Sequence, residues 1–315
     1  DPARAGFFNG VKSVKNETLK AVVLLNIAGL LWGGNMILGR YLADFLGPWS
    51  IVSTRLVIGG FIFILLLIQT GELKKIKHIT NWWTFIALAI FGVIFFQSLL
   101  YYGLRLTTST NAGLINSLTP LLTAFMAAAF LKEKLNYHHW VAAAVTIFGL
   151  LFILGEGDLT NLLLLNFNVG DLLVLGAVIS WVIYSLIAKN AMIGMSPLLL
   201  TALGVLLSLV VVIPLGIYEA KVIQTPHLTV NAFWALMFIS VGPTVLSLLF
   251  WNKGMKVIGP SRASLFLNTV PVYIIIINAV FLEEMPYQYQ IIGMVLIFMG
   301  SFYAGLKAHK PKLRD

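Results

Sequence analysis

Residues 129–140 read AFLKEKLNYHHW, and residues 280–291 read VFLEEMPYQYQI. The pattern Phe-Leu-x-Glu recurs, but Lys132 and Lys134 of the first stretch have no counterpart in the second. The agreement extends outward without gaps. Pro120 falls on Pro271, Glu133 on Glu284 and Gly149 on Gly300, each pair 151 residues apart. The same offset carries Gly103 onto Gly254, Arg105 onto Lys256 and Ala112 onto Ala263. Upstream, Trp32 meets Trp181 and Pro48 meets Pro197 at an offset of 149. Landmarks of Trp, Pro, Gly and Glu that recur at offsets of 149 and 151 residues mark a duplicated unit.

Each copy consists of apolar runs. The chain of 315 residues is 59% hydrophobic and 10% charged, where a soluble domain carries about 25% charged residues. Ten apolar runs follow one another, at roughly 20–40, 48–69, 82–102, 110–131, 138–155, 171–189, 197–218, 231–252, 260–282 and 287–306. Each has about the 20 residues that a helix needs to cross a bilayer at 1.5 Å per residue. The alternating strands of about ten residues expected of a transmembrane barrel are not seen. Pro48, Pro197 and Pro260 stand at helix starts, where a missing N–H costs least. The composition excludes a soluble fold and predicts an all-α membrane protein of ten transmembrane helices. The chain then divides into a tail (1–19), a first five-helix repeat (20–155), a second (171–306) and a closing tail (307–315).

Lysine and arginine gather in loops on the cytoplasmic side. With the N-terminus inside, 17 of the 21 basic residues fall in inner segments and three, Arg40, Arg105 and Lys221, in outer ones. Arg55 lies within the second span. Both termini are therefore expected in the cytoplasm. The net charge of +9 is a topology signal with contact to anionic lipid as a secondary effect, and implies no nucleic-acid partner. Five is odd, so the second copy must sit upside down relative to the first. FLKEKL then falls in an inner loop and keeps its lysines; FLEEMP falls in an outer loop, where lysines would oppose the orientation. The fold expected is two inverted five-helix repeats around a central cavity, with solute held near the midplane between them.

With LLWGGNMILGR on the first helix and TP…FLKEKL closing the fourth, the chain resembles the EamA family of the drug/metabolite transporter superfamily over residues 20–306. The resemblance implies a carrier of small metabolites in the bacterial inner membrane, often an exporter, working without a bound cofactor. Within the family, the aromatic amino-acid exporters offer the nearest structural picture, a basket of helices around a cavity.

Chemistry-bearing residues are few. The twelve acids, among them Glu133 and Glu284 at helix ends, avoid the middle of every span, and the five histidines lie in loops or tails. There is no cysteine, no clustered set of metal ligands and no Walker loop, so neither a metal nor ATP is called for. The one charge inside a span is Arg55, about 10 Å from the end of its helix at Pro48. It either receives a substrate carboxylate, snorkels outward or bonds carbonyls of a neighbouring helix. Uncharged polar and aromatic residues within spans say more. Asn35, Gln97, Tyr101, Asn116, Ser180, Trp181, Tyr184, Ser247, Trp251 and Asn268 are costly against lipid and should face the bundle interior. Trp32 and Asn35 share one face of the first helix, as do Trp181 and Tyr184 on its equivalent, the sixth. The two faces are expected to meet. The substrate-binding set is thus Trp32, Asn35, Arg55, Tyr101, Asn116, Trp181, Tyr184, Trp251 and Asn268, aromatic walls with a few amides that suit an amino acid or a similar amphiphile. The pair Gly29 and Gly33 serves close helix packing, which a monomer satisfies. The alternatives to a carrier are a solute channel, which lacks a charge ring or filter loop here, and an intramembrane enzyme, which lacks a nucleophile with its base.

Overall fold

The computed structural model describes residues 2–79, 81–131, 137–158, 160 and 168–307. Those residues are helical or in short connections. The long helices are α1 (Pro2–Leu42), α2 (Pro48–Gln69), α3 (Trp82–Leu106), α4 (Ser109–Phe130) and α5 (Tyr137–Leu154), followed by α6 (Val169–Ala191), α7 (Pro197–Ile223), α8 (Val230–Ile258), α9 (Ser264–Leu282) and α10 (Gln288–Lys307). Among the described residues, eight helices are long and apolar enough to cross a membrane; α5 and α10 hold shorter apolar stretches, Ala143–Leu154 and Gln288–Gly300. Glu133 and the rest of residues 132–136 lie outside the described residues, as do residues 308–315.

Helix starts follow local chemistry. Pro48 and Pro197 each occupy the first turn of their helix, and the Ser196 side chain accepts the Leu199 N–H at 3.1 Å, filling an orphan donor. The start of α2 is capped from far away. Glu219, at the end of α7, accepts the Ser50 N–H at 2.8 Å and the Ser50 hydroxyl at 3.0 Å. The reciprocal bond joins the other end, where the Ser196 hydroxyl donates to Glu72 beyond the end of α2. A carboxylate at a helix N-terminus also meets the positive end of the helix dipole. Glu219 is 1% exposed, so this helix-end acid is sealed in protein rather than hydrated.

These latches hold α2 antiparallel to α7. Gly216 near the end of α7 lies against Trp49 and Ser53 at the start of α2, and Gly60 against Leu206 and Leu209. In the same sense α5 runs antiparallel to α10, with Gly149 on Gly293 and Leu296, and Gly157 on Tyr289. The remaining contacts are reciprocal too. Helix α1 lies on α8 and α9, while α6 lies on α3 and α4. Gly29 and Gly33 face Thr269, Val270 and Tyr273 of α9, so the small-residue pair packs within the chain. Large side chains left bare around the outside include Phe61, Val210, Trp83 and Trp234, a surface that only a bilayer accommodates.

Candidate functional site

Arg55 lies two turns into α2 and is 2% exposed. Its Nε donates to Thr244 Oγ1 at 2.8 Å, and Nη1 donates to Asn35 Oδ1 at 2.9 Å and to the Tyr101 hydroxyl. The Tyr101 hydroxyl donates to Asn35 Oδ1 at 2.7 Å, and Thr244 donates to the Ile239 carbonyl at 2.8 Å. The guanidinium carbon also stands 5.4 Å from the centroid of the Tyr101 ring, within reach of a cation–π attraction. Every partner is neutral. Among the described residues no carboxylate pairs with Arg55, and its Nη2 has no hydrogen-bond partner. The side chain neither snorkels outward nor bonds helix carbonyls. A desolvated charge without a counter-charge costs several kcal/mol.

Beside it three indoles meet. Trp32 of α1 lies 5.3 Å from Trp181 of α6 and 5.5 Å from Trp251 of α8, and Trp181 lies 5.8 Å from Trp251. Phe96 and Tyr184 stand 4.9 Å from Trp181 on either side. The faces of α1 and α6 therefore meet through their tryptophans. Their second polar residues part company: Asn35 turns to Arg55, while Tyr184 turns to α8. There Asn252 donates through Nδ2 to the Tyr184 hydroxyl at 2.9 Å and to Thr201 Oγ1 at 2.8 Å. Asn35 and Tyr184 occupy matching places in the two repeats, and so do Tyr101 and Asn252. Each half thus ties its first three helices together by one Asn and one Tyr in exchanged positions. The first knot contains a cation and the second contains Thr201.

The helices around this site are broken. A π turn interrupts α3 at Ile90–Phe95, and another interrupts α8 at Gly242–Ser247, which is the equivalent point. Helix α4 pauses between Asn116 and Thr119, and α9 begins with a 3-10 turn, Ser264–Asn268. Such breaks free backbone groups and place them where protein or water can satisfy them. A central cavity lies at the breaks. Phe96 and Gln97 follow the first π turn, Pro243 belongs to the second, and Asn116 and Leu267 mark the pauses; Arg55, Asn35, Trp32 and Trp181 complete the wall. The space open to the centre of a water molecule is about 30 Å³. That is room for a few waters at most, so the site as seen is narrow. Two wall groups lack a partner among the described residues, Gln97 Oε1 and the indole N–H of Trp181, and so does the indole N–H of Trp251 behind the wall.

Five of the nine residues expected from the sequence, Trp32, Asn35, Arg55, Asn116 and Trp181, line this cavity. Tyr101, Tyr184 and Trp251 stand directly behind it, bonded or stacked to lining residues. Asn268 sits in the 3-10 turn beside Leu267, half-buried and outside the wall. Thr244, Thr201 and Asn252 were not foreseen. A threonine in an apolar span carries no signal of its own, and Asn252 precedes Lys253 and reads as a helix end.

The sequence profile of the EamA-like transporter family matches residues 19–155 and, a second time, residues 168–306. The chain belongs to this family. It is 28% identical to the Bacillus subtilis transporter YyaM over 93% of this chain and 96% of that one. A transporter of Archaeoglobus fulgidus is 25% identical, over 90% of this chain and 98% of its own length. A solved crystal structure shares the fold at a TM-score of 0.67 and 21% identity, covering 92% of this chain and 98% of the other. Apolar helices and family together make this member a multi-pass membrane transporter.

Proposed function

We propose that this transporter carries small amphiphilic solutes bearing a carboxylate, amino acids first among them, outward across the cytoplasmic membrane of a prokaryote. The observation that carries the proposal is Arg55, sealed in the cavity wall with a free Nη2 edge and only neutral partners. A carboxylate fits that edge by a charge-assisted bond strengthened in a dry site. The lining indoles of Trp32 and Trp181 offer flat apolar contact and, from Trp181, an unpartnered N–H donor, which suits an amphiphile. In this reading all ten long helices cross the membrane, both termini are cytoplasmic, and the second repeat is inverted. The antiparallel packing of α2 on α7 and of α5 on α10 supports the inversion, because these are equivalent helices. Transport proceeds by alternating access, one repeat rocking against the other while the broken helices flex. The narrow cavity supports a carrier over an open pore, because an amino acid fits only when the walls part.

Counterflow in liposomes tests this. The purified protein is offered labelled L-amino acids beside the amines obtained by removing their carboxyl group. The parent exchanges amino acids and leaves the amines. Arg55→Gln removes one partner of a buried charge pair, worth about 2–5 kcal/mol, and lowers exchange on the order of 100-fold, while Arg55→Lys retains part of it. Equal transport of acids and amines, or an Arg55→Gln protein that works like the parent, overturns the proposal.

A further inference from the structure

A second and larger cavity opens between the repeats at the end of the bundle where α1 stops and α4 starts. Its volume is about 510 Å³ on the measure that gives about 30 Å³ at the centre, within the usual range for small-molecule sites. Arg40, Ser109 and Thr110 come from the first repeat, and Asn278, Glu284 and Gln290 from the second.

The way the chain builds this wall is specific. Helix α9 ends in a π turn, Asn278–Leu282, after which Glu283 takes a left-handed φ of +57°. The reversal brings the Glu284 N–H back to the Asn278 carbonyl at 3.2 Å, and both residues line the cavity. Asn278 is 3% exposed. Its Nδ2 reaches Ser109 Oγ at 3.5 Å and Thr110 Oγ1 at 3.4 Å, while its Oδ1 has no partner among the described residues. A buried acceptor left open is destabilising unless something fills it. Gln290 is fully engaged by contrast, donating to Asn111 at 2.8 Å and accepting the Tyr287 N–H at 3.0 Å. Glu284 pairs with no cation among the described residues. One wall therefore offers two acceptors, the Asn278 oxygen and the Glu284 carboxylate, and calls for a donor carrying positive charge. The other wall offers a guanidinium. Arg40 meets Asp44 at 3.4 Å with both side chains largely in the open, a contact of little worth.

We infer that this vestibule binds a small zwitterion, its ammonium on Asn278 and Glu284 and its carboxylate on Arg40, as a station separate from Arg55. Its place on the transport route rests on the carrier reading above; the binding itself does not. The vestibule selects for both charges, whereas the central site selects for the carboxylate.

The absence of cysteine from the chain makes the test clean. Met285 lines the vestibule and is 76% exposed, so Met285→Cys is a reporter there. Its alkylation by N-ethylmaleimide is timed on the detergent-solubilised protein with and without a millimolar mixture of the proteinogenic L-amino acids other than cysteine. The mixture slows labelling several-fold. Matched amines alone or matched carboxylates alone do not, and added Glu284→Gln or Arg40→Gln removes the protection while the melting temperature stays that of the reporter. Protection persists in Arg55→Gln. No protection in the reporter overturns the inference, as does equal protection by carboxylates alone. Protection lost in Arg55→Gln but kept in Glu284→Gln places the solute at the centre and overturns it too. Failure of the carrier reading appears separately, as an Arg55→Gln protein with undiminished exchange.

Discussion

A Cβ on Gly92, inside the π turn of α3, would enter the ring of Tyr184. On α1, a Cβ on Gly39 would come within 2.8 Å of the Tyr101 ring. Both tyrosines of the polar knots thus lean on a glycine of a neighbouring helix, and their hydroxyls are aimed by that contact. Gly92→Ala overpacks the knot of Tyr184, Thr201 and Asn252, at a cost of about 1–3 kcal/mol. Gly204→Ala on α7 is the control, because the nearest atom to its Cβ is Leu88 Cβ at 4.0 Å. There the gain in helix propensity, about 0.5–1 kcal/mol, leaves the protein as stable or more so. Thermal unfolding in detergent compares the two; if Gly92→Ala melts with the parent, the ring is not held in this way. At this scale the sequence is legible in part. Arg55 stands out as the lone charge within a span, and Trp32 and Trp181 as a repeated pair. Their partners do not stand out, because the bond from Arg55 to Thr244 joins residues 189 apart and threonine is an ordinary member of an apolar helix.

Helices announce themselves where hydropathy and breakers coincide. The run 48–69 becomes Pro48–Gln69, and 197–218 becomes Pro197–Tyr218 with one further π turn to Ile223. The third and eighth elements run further than their apolar runs, to Leu106 instead of 102 and to Ile258 instead of 252. Hydropathy fades there because Phe96–Leu106 and Leu248–Ile258 carry polar and basic residues on one side, yet the backbone stays helical against its neighbours. Helix α1 likewise starts far ahead of residue 20. The π turns are invisible to periodicity, since one extra residue per turn shifts the apolar face without removing it. They come to light only in the structure, beside residues that line the cavity. Helix-end acids mislead for the same reason as threonines. Glu219 and Asp171 look hydrated in sequence, but Glu219 closes the start of α2 and Asp171, 2% exposed, accepts the Thr107 hydroxyl. Their partners lie in the other repeat.

The whole molecule combines two copies whose loops differ in charge, and two expectations belong to that scale. The first is orientation. The 17-to-3 distribution of basic residues puts residue 311 inside, so a cysteine placed there stays unlabelled by an impermeant reagent in intact cells, and labelling from outside reverses the topology. The second is the source of energy. Proton coupling usually requires a group whose charge changes within the membrane as the protein moves. The walls of the central cavity contain one ionisable side chain, Arg55, and a guanidinium keeps its proton. The nearest buried acids serve elsewhere. Glu219 is occupied by Ser50 and, at 3.4 Å, by the Tyr102 hydroxyl, and Asp171 by Thr107. Each is tied to a helix start that an alternating movement must carry along. The outcome expected is that solute runs down its own gradient, alone or in exchange, which is all that efflux of an accumulated metabolite needs. Liposomes given an inward pH difference, with membrane potential clamped at zero, take up a labelled amino acid to equality and no further. Uphill accumulation that collapses with a protonophore overturns this expectation. In that event Glu219→Gln and Asp171→Asn tell which end moves the proton: the variant that still equilibrates solute but no longer concentrates it marks the coupling acid.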